Sequence, residues 1–236
     1  MKITKLKLTQ IVSETIQAFL LERKFDPKML DAKEFTNQSK MAEFVLDLAQ
    51  THPGLRYLGE GSSRMVFSLD SKRVLKVALN DAGIAQNEAE IDISFDPSVG
   101  GIVAKVFAQS NANKWIVSEL VRPLKDKEEF KFLTGISWDF FSFALQGWGT
   151  GRLPEWINNI RNNSIKPWSS PVKSHKELEE YLTTPFYKTV FHALNHIKTV
   201  LMHGDLTKIG HWGKTPDQRV VLLDYGFTPE VADKHY

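Results

Sequence analysis

Two aspartates each stand at the end of an apolar stretch. Asp205 lies in MHGDL (residues 202–206), and Asp224 follows the apolar run VVLL in VVLLDYGF (residues 220–227). A carboxylate in such a place needs a cation, a hydrogen-bond donor or a metal ion to offset its charge. Because a short hairpin joins the two segments, both carboxylates can converge on one point. Taken singly, each is equally well explained as an aspartate that caps a surface turn.

Lys76 lies within the apolar, strand-like run VLKVA (residues 74–78). On a strand buried on one face, its ammonium must meet a carboxylate or a phosphate, because burying an unpaired charge is costly. The next helical segment offers Glu88 and Glu90, which lie about 200° apart on a helix, so only one of them can face Lys76. The helical wheel leaves the choice open. We favour Glu90, because its position further along the helix leaves more chain for the turn back to the strand. An edge-strand lysine that reaches solvent is the alternative.

A glycine-containing hairpin, LGEGSSRMVF (residues 58–67), lies between two predicted strands. Without a Cβ, Gly59 and Gly61 let backbone N–H groups approach phosphate oxygens, and Ser62 follows directly. A Rossmann motif is disfavoured, because it needs a helix after the glycines. An ordinary two-glycine turn is the alternative.

Three regions with different patterns of apolar and polar residues must position these residues. Amphipathic helices predicted at Thr9–Arg23 and Gln38–Gln50 make residues 1–51 a helical extension docked on the main body, or alternatively an independent module for binding another protein. Residues 52–121 contain five predicted antiparallel strands and one helix, and residues 122–236 are mainly helical with one final strand. The fold class is therefore α+β. The predicted strands are Leu55–Gly59, Met65–Leu69, Arg73–Leu79, Ile102–Ala108, Trp115–Val121 and Arg219–Asp224. The predicted helical segments after the first two are Ala82–Ile91, Glu128–Leu145, Leu153–Asn162 and Pro185–Leu201.

Composition excludes several classes of protein. The 236 residues are 42% hydrophobic and 25% charged, which is typical of a globular domain, and a formal net charge of +2 gives no support to nucleic-acid binding. The absence of cysteine removes disulfides, thiolate nucleophiles and cysteine-ligated metal sites. No signal-peptide core and no membrane-spanning apolar window is found. We expect a cytoplasmic protein with no membrane partner.

Taken together, the motifs resemble those of the protein-kinase-like superfamily, which includes protein kinases, aminoglycoside and choline phosphotransferases and small kinase-like proteins of phages and bacteria. The matching pieces follow the family's order between residues 55 and 227. They are the glycine hairpin, VLK (74–76), a helical glutamate, the hinge-like IVSEL (116–120), HGD (203–205) and DYG (224–226). The fold expected from this resemblance has two lobes, with a minimal C-terminal lobe, and the compact chain suggests a phage or bacterial source.

The resemblance implies specific roles for the site residues. Lys76 would hold the α and β phosphates of ATP, and Glu90 would orient Lys76. Asp205 would accept the proton of a substrate hydroxyl, and Asp224 would bind Mg²⁺. Backbone groups of Glu119 and Val121 would meet the adenine edge, and the glycine hairpin, with Gly59, Gly61 and Ser62, would cover the phosphates.

Three departures from the family pattern bear on these roles. Arg64 replaces the third glycine of the hairpin, and Gly210 stands where a metal-binding asparagine is expected. His211 follows it and is a candidate metal ligand, although imidazole suits Mg²⁺ poorly and loop packing is the alternative. Nine residues follow Phe227, so we expect the activation segment and peptide groove of a protein kinase to be missing. We expect the substrate to be presented differently, by the aromatic residues of the C-terminal region, with core packing as the alternative role for these residues: Trp138, Phe140, Phe141, Phe143, Trp148, Trp156 and Trp168.

The sequence thus predicts an ATP- and Mg²⁺-dependent phosphotransferase that acts on a hydroxyl of a protein or a small molecule. Two alternatives remain open. One is a pseudokinase that serves as a binding module for a partner protein, favoured by the missing asparagine. The other is transfer of the nucleotide itself to a protein.

Overall fold

A computed structural model of the chain describes residues 25–162, 164, 171–196 and 206–236. The described chain forms two compact units. The first comprises residues up to Ile84 together with Phe107–Ser118, and the second comprises Ala85–Val106 with Glu119–Tyr236. The predicted helix Thr9–Arg23, the candidate base Asp205 and Trp168 lie outside the described residues.

A five-stranded sheet contains all five strands expected between residues 52 and 121. Its strand order is β1-β2-β3-β5-β4, and β2 pairs with both β1 and β3 in antiparallel fashion. β3 is therefore a central strand. The strands are β1 (Arg56–Glu60), β2 (Arg64–Ser68), β3 (Arg73–Ala78), β4 (Val106–Gln109) and β5 (Trp115–Glu119).

The fourth strand begins later than expected, at Val106 rather than Ile102. Residues 102–104 pair instead with the last strand of the chain. The Ala104 N–H donates to the Leu222 carbonyl at 2.9 Å, and the Leu222 N–H donates to the Ile102 carbonyl at 2.8 Å. The predicted strand Ile102–Ala108 is thus divided between two sheets. The apolar character of its residues alone does not show this division.

Helix α1 (Gln38–Thr51) covers the core of the first unit. It begins where the Asn37 side chain accepts the Lys40 N–H, and its buried face carries Met41, Ala42 and Val45. These residues share one core cluster with strand residues that include Phe67 and Leu75. The predicted helix Gln38–Gln50 is confirmed within one residue.

The remaining helices are α2 (Asp81–Phe95), α3 (Lys127–Thr134), α4 (Trp138–Gly149), α5 (Leu153–Arg161), α6 (His175–Thr183), α7 (Pro185–His196) and α8 (Pro229–His235). The predicted segment Glu128–Leu145 is two helices rather than one. Gly135 adopts φ +75° at the end of α3, a left-handed conformation that ends a helix and suits glycine. Ser137 then caps α4.

Two of these helices were not expected from apolar periodicity. The Ser174 side chain accepts the Glu177 N–H at the start of α6, and the Thr228 side chain accepts the Val231 N–H at the start of α8, with Pro229 in its first turn. A serine or threonine cap followed by an acidic or proline residue is a sequence signal that identifies such helix starts.

The second unit packs its helices around an aromatic core, next to a three-stranded sheet of order β6-β7-β8. Both pairs in this sheet are antiparallel, and the strands are β6 (Arg122–Pro123), β7 (Trp212–Lys214) and β8 (Val220–Leu222). Trp212 is fully buried and donates its indole N–H to the Leu206 carbonyl at 2.8 Å. In the described part of the chain, no helix has the length and apolar character needed to cross a membrane.

Candidate functional site

Gly59, Val66 and Lys76 form one row across three neighbouring strands. Gly59 is the partner of Val66 in the β1–β2 ladder, and Val66 is the partner of Lys76 in the β2–β3 ladder. Directly opposed residues project to the same face of a sheet, with strands about 4.8 Å apart. Because Gly59 has no side chain, the row has open backbone at one end and a cationic side chain at the other.

Lys76 is buried in the middle of this sheet. Its relative exposure is 7%, and all residues from Val74 to Ala78 are buried. The alternative of an edge-strand lysine that reaches solvent is therefore wrong, since β3 has a neighbouring strand on each side. A charged group in this position is what the phosphate-binding hypothesis requires.

The hairpin between β1 and β2 is held by backbone hydrogen bonds. The Gly61 N–H donates to the Arg64 carbonyl at 2.9 Å, and the Asn80 side chain donates to the Ser62 carbonyl at 3.1 Å. A Cβ added at Gly59 or at Gly61 would meet nothing within 4 Å. The hairpin thus has a fixed shape with open space over both glycines.

In the second unit, the segment after Asp224 is fixed by two contacts. The Tyr225 hydroxyl donates to the Ala104 carbonyl, and Tyr225 is buried. Gly226 packs against α2 so closely that a Cβ would lie against the Gln86 carbonyl and 3.1 Å from the Glu90 Cγ. The structure therefore brings the segment that carries Asp224, itself exposed, next to the helix that carries Glu90.

The two candidate glutamates on α2 have opposite environments. Glu90 is fully buried, whereas Glu88 is exposed and lines a cavity of about 270 Å³ beside α8. A buried carboxylate needs a charged or hydrogen-bonding partner, so burial favours Glu90 as the functional residue. Its pairing with Lys76 stays a prediction.

Glu119 ends β5 and is tied to two other segments. Its N–H donates to the Lys105 carbonyl at 2.8 Å, and its carboxylate accepts a hydrogen bond from the Arg219 guanidinium at 2.6 Å. Because the N–H is occupied, the backbone group that Glu119 can offer to a base is its carbonyl. Two residues further on, Val121 packs closely on Gly213 of β7.

His211 lies near the Asp224 segment through its backbone. The Leu223 N–H donates to the His211 carbonyl at 3.1 Å. The backbone of His211 is therefore bound to the residue that precedes Asp224. Its role as a metal ligand stays a prediction. Within the ranges that the structure describes, no group of three or more histidine, aspartate and glutamate side chains is arranged to hold a metal ion.

The described aromatic residues of the C-terminal region serve mainly as core. Trp138, Phe140, Phe141 and Trp148 are buried, and Phe143 stacks on Trp156 with ring centroids 4.7 Å apart. This agrees with core packing rather than with substrate presentation for the four buried rings.

No protein-family model matches the sequence, and no curated protein matches it significantly. The chain is similar to solved structures of aminoglycoside phosphotransferases. One is the GDP and kanamycin complex of APH(2'')-IIIa, with 15% identity and a TM-score of 0.37. Another is the GDP complex of wild-type aminoglycoside 2'-phosphotransferase-IIIa, with 16% identity and a TM-score of 0.37. Each match covers 79% of this chain and 73% of the other.

Proposed function

We propose that this protein binds a purine nucleoside triphosphate with Mg²⁺ and transfers its terminal phosphoryl group to a hydroxyl. The observation that carries the proposal is the cross-strand row of Gly59, Val66 and Lys76. A buried ammonium on the same face as open glycine backbone suits a polyphosphate, which needs neutralisation of charge and close approach to backbone. Six motifs in the family's order support the same assignment.

Asp224 is the residue of the described chain that we assign to Mg²⁺. A carboxylate offers the oxygen atoms that Mg²⁺ prefers, and the Asp224 side chain is exposed at the end of an apolar strand. Two contacts next to it, Tyr225 with Ala104 and Gly226 with α2, fix the backbone that presents it. When bound, the ion would offset the negative charge of the phosphates.

Asp205 is assigned the role of general base by the resemblance alone. It would hold the substrate hydroxyl and accept its proton as the phosphorus–oxygen bond to the acceptor forms and the bond to the diphosphate breaks. Lys76 would stay bound to the phosphates during this step, with Glu90 as the carboxylate that orients its ammonium.

A thermal-shift assay with Mg-ATP and Mg-GTP tests nucleotide binding, since a ligand selective for the folded state raises the melting temperature. We expect a shift with at least one triphosphate, and we expect Lys76→Met to reduce it strongly. Lys72→Met is the matched control, because Lys72 is exposed in the turn before β3 and should leave the shift intact. No shift with either triphosphate at millimolar concentration would overturn the proposal.

Nucleotides labelled separately at the α and γ phosphates identify the reaction. Label from the γ position alone, in the protein or in free phosphate, supports phosphoryl transfer. Label from the α position in the protein would replace the proposal with nucleotidyl transfer. Binding without transfer of either label would favour the pseudokinase alternative.

Two substitutions separate the roles of the aspartates. Asp205→Asn should leave nucleotide binding nearly intact and lower turnover by a factor on the order of 10² or more. Asp224→Asn should also weaken the Mg²⁺-dependent part of binding. Asp233→Asn, an exposed residue of α8, is the control for removal of one charge. Full activity in both site variants would show that the motifs misplace the active site.

A further inference from the structure

The Glu119 side chain is held by two separate parts of the second unit. Its Oε1 accepts a hydrogen bond from the Arg219 Nη2 at 2.6 Å, and its Oε2 accepts one from the Lys105 N–H at 3.3 Å. The Glu119 side chain is only 10% exposed, and its hydrogen bond with the guanidinium joins two charged groups, which makes it stronger than a neutral one. The carboxylate therefore fixes the end of β5 in position.

Arg219 is itself fixed on its other side. Its Nε donates to the Asp217 Oδ2 at 3.0 Å, and its backbone N–H donates to the Thr215 Oγ1 at 2.9 Å. Thr215 in turn donates its hydroxyl hydrogen to Asp217 at 2.5 Å. The turn between β7 and β8 thus presents the guanidinium in one orientation before any ligand is bound.

Neighbouring carboxylates also keep the Arg219 guanidinium in its charged form. Burial lowers the pKa of the guanidinium, but the hydrogen bonds and charges of Asp217 and Glu119 outweigh burial and raise its pKa above the ordinary value. The two bound carboxylates already offset the charge of the guanidinium, which weakens its attraction for a phosphate. Its position suits it to holding Glu119 rather than to binding a ligand itself.

The segment that follows Glu119 is anchored at its other end as well. Arg122 is paired with Lys214 in the β6–β7 ladder, and Val121 packs on Gly213. Leu120 and Val121 therefore lie between two fixed points, outside both strands. A short segment held at both ends keeps its backbone groups in a constant arrangement, as recognition of a flat base edge requires.

We propose that Arg219 is a positioning residue for base recognition: through Glu119 it fixes the backbone of residues 119–121 for contact with the purine. This inference rests on the proposed function and assigns a residue 100 positions away in the chain to the same site. The role concerns the base alone. Contacts to the phosphates, assigned to Lys76 and Asp224, do not depend on it.

Two probes that differ only in the base and sugar test this role. Titration calorimetry is performed with Mg-ATP, or Mg-GTP if that is the nucleotide bound, and with Mg-tripolyphosphate, which lacks a base. Arg219→Met keeps most of the aliphatic stem and removes the guanidinium. We expect it to weaken nucleotide binding about tenfold, the size of one charged hydrogen bond. Tripolyphosphate binding should change less than about twofold.

Matched variants separate positioning from general stability. Arg73→Met removes another arginine–aspartate pair, with Asp70, in the first unit, and should change neither titration. Asp217→Asn loosens Arg219 without removing it and should shift nucleotide binding in the same direction by a smaller factor. This milder variant also covers the case in which Arg219→Met fails to fold.

Three outcomes would overturn the role of Arg219. In the first, Arg219→Met weakens both probes equally; in the second, it leaves nucleotide binding unchanged; in the third, a folded Asp217→Asn variant shows no loss of nucleotide binding. The failure of the proposed function is distinguishable, because the unsubstituted protein would then bind neither probe, and the role of Arg219 would be overturned with it.

Discussion

Gly226 lies against the backbone carbonyl of Gln86, at a distance that leaves no room for a side chain. The two residues are 140 positions apart in the chain, and their contact joins the segment after Asp224 to helix α2. A Cβ at Gly226 would also lie 3.1 Å from the Cγ of Glu90, which is one turn further along that helix. The packing of one glycine therefore sets how closely the Asp224 segment approaches the buried glutamate.

Gly226→Ala should accordingly destabilise the protein by about 1–3 kcal/mol, because a methyl group forced into a packed site displaces its neighbours. Urea denaturation measures the change. Gly210→Ala is the control, since nothing lies within 4 Å of a Cβ at Gly210. Equal stability of the two variants would contradict the close packing of Gly226 on α2.

Tyr225→Phe should cost about 1–3 kcal/mol of folding free energy. The substitution keeps the ring but removes the hydroxyl that donates to the Ala104 carbonyl, which leaves a buried acceptor without that partner. Denaturation curves of this variant are compared with those of Tyr57→Phe as a control. Tyr57 is 40% exposed on β1, so this substitution should leave the free energy of unfolding nearly unchanged. A stability loss confined to Tyr57→Phe would be the opposite of this expectation.

Protonation of Glu129 should lower the free energy of unfolding in acid. The backbone N–H of Lys125, followed by the guanidinium of Arg122, lowers the pKa of Glu129 to about 2. A glutamate in the unfolded chain has a pKa of about 4.3, so between these two pKa values the unfolded chain binds more protons than the folded protein. The contribution of Glu129 is present above the unfolded pKa and is lost as the pH falls through about 2.

Glu129→Gln should therefore lower the free energy of unfolding at pH 6 and flatten its decrease in acid. Chemical denaturation at a series of pH values gives both quantities. Glu128→Gln, at the exposed neighbouring position, should reproduce the pH profile of the unsubstituted protein. If stability depended on pH in the same way in Glu129→Gln and in Glu128→Gln, the pKa of Glu129 would not be lowered by folding.

Gly135→Ala tests the left-handed end of α3. The glycine adopts φ +75°, and a Cβ there would make only an ordinary contact, 3.7 Å from Thr184 Cγ2. The expected loss of about 1 kcal/mol is thus conformational rather than steric. Thermal unfolding should show a smaller loss for Gly135→Asn, because asparagine tolerates this conformation. Gly100→Ala, at a glycine without positive φ, should show none.

Local patterns predicted much of the secondary structure. Five short apolar runs separated by turn residues predicted the five strands, and the spacing of Met41, Phe44, Val45 and Leu48 predicted α1. Apolar periodicity did not detect α6 and α8, whose starts are marked by capping residues instead. It also merged α3 and α4, because it does not report the backbone conformation of Gly135.

The sequence by itself determined the order of the chemical motifs, since glycine, lysine and aspartate in these contexts are visible from residue types and neighbours. Only the tertiary structure decided which strands flank Lys76, that Glu90 rather than Glu88 is buried, and that Arg219 holds Glu119. The physical reason is the range of the interactions. Periodicity and capping depend on residues within a few positions, whereas strand order, burial and ion pairs depend on partners brought together from 100 or more residues away.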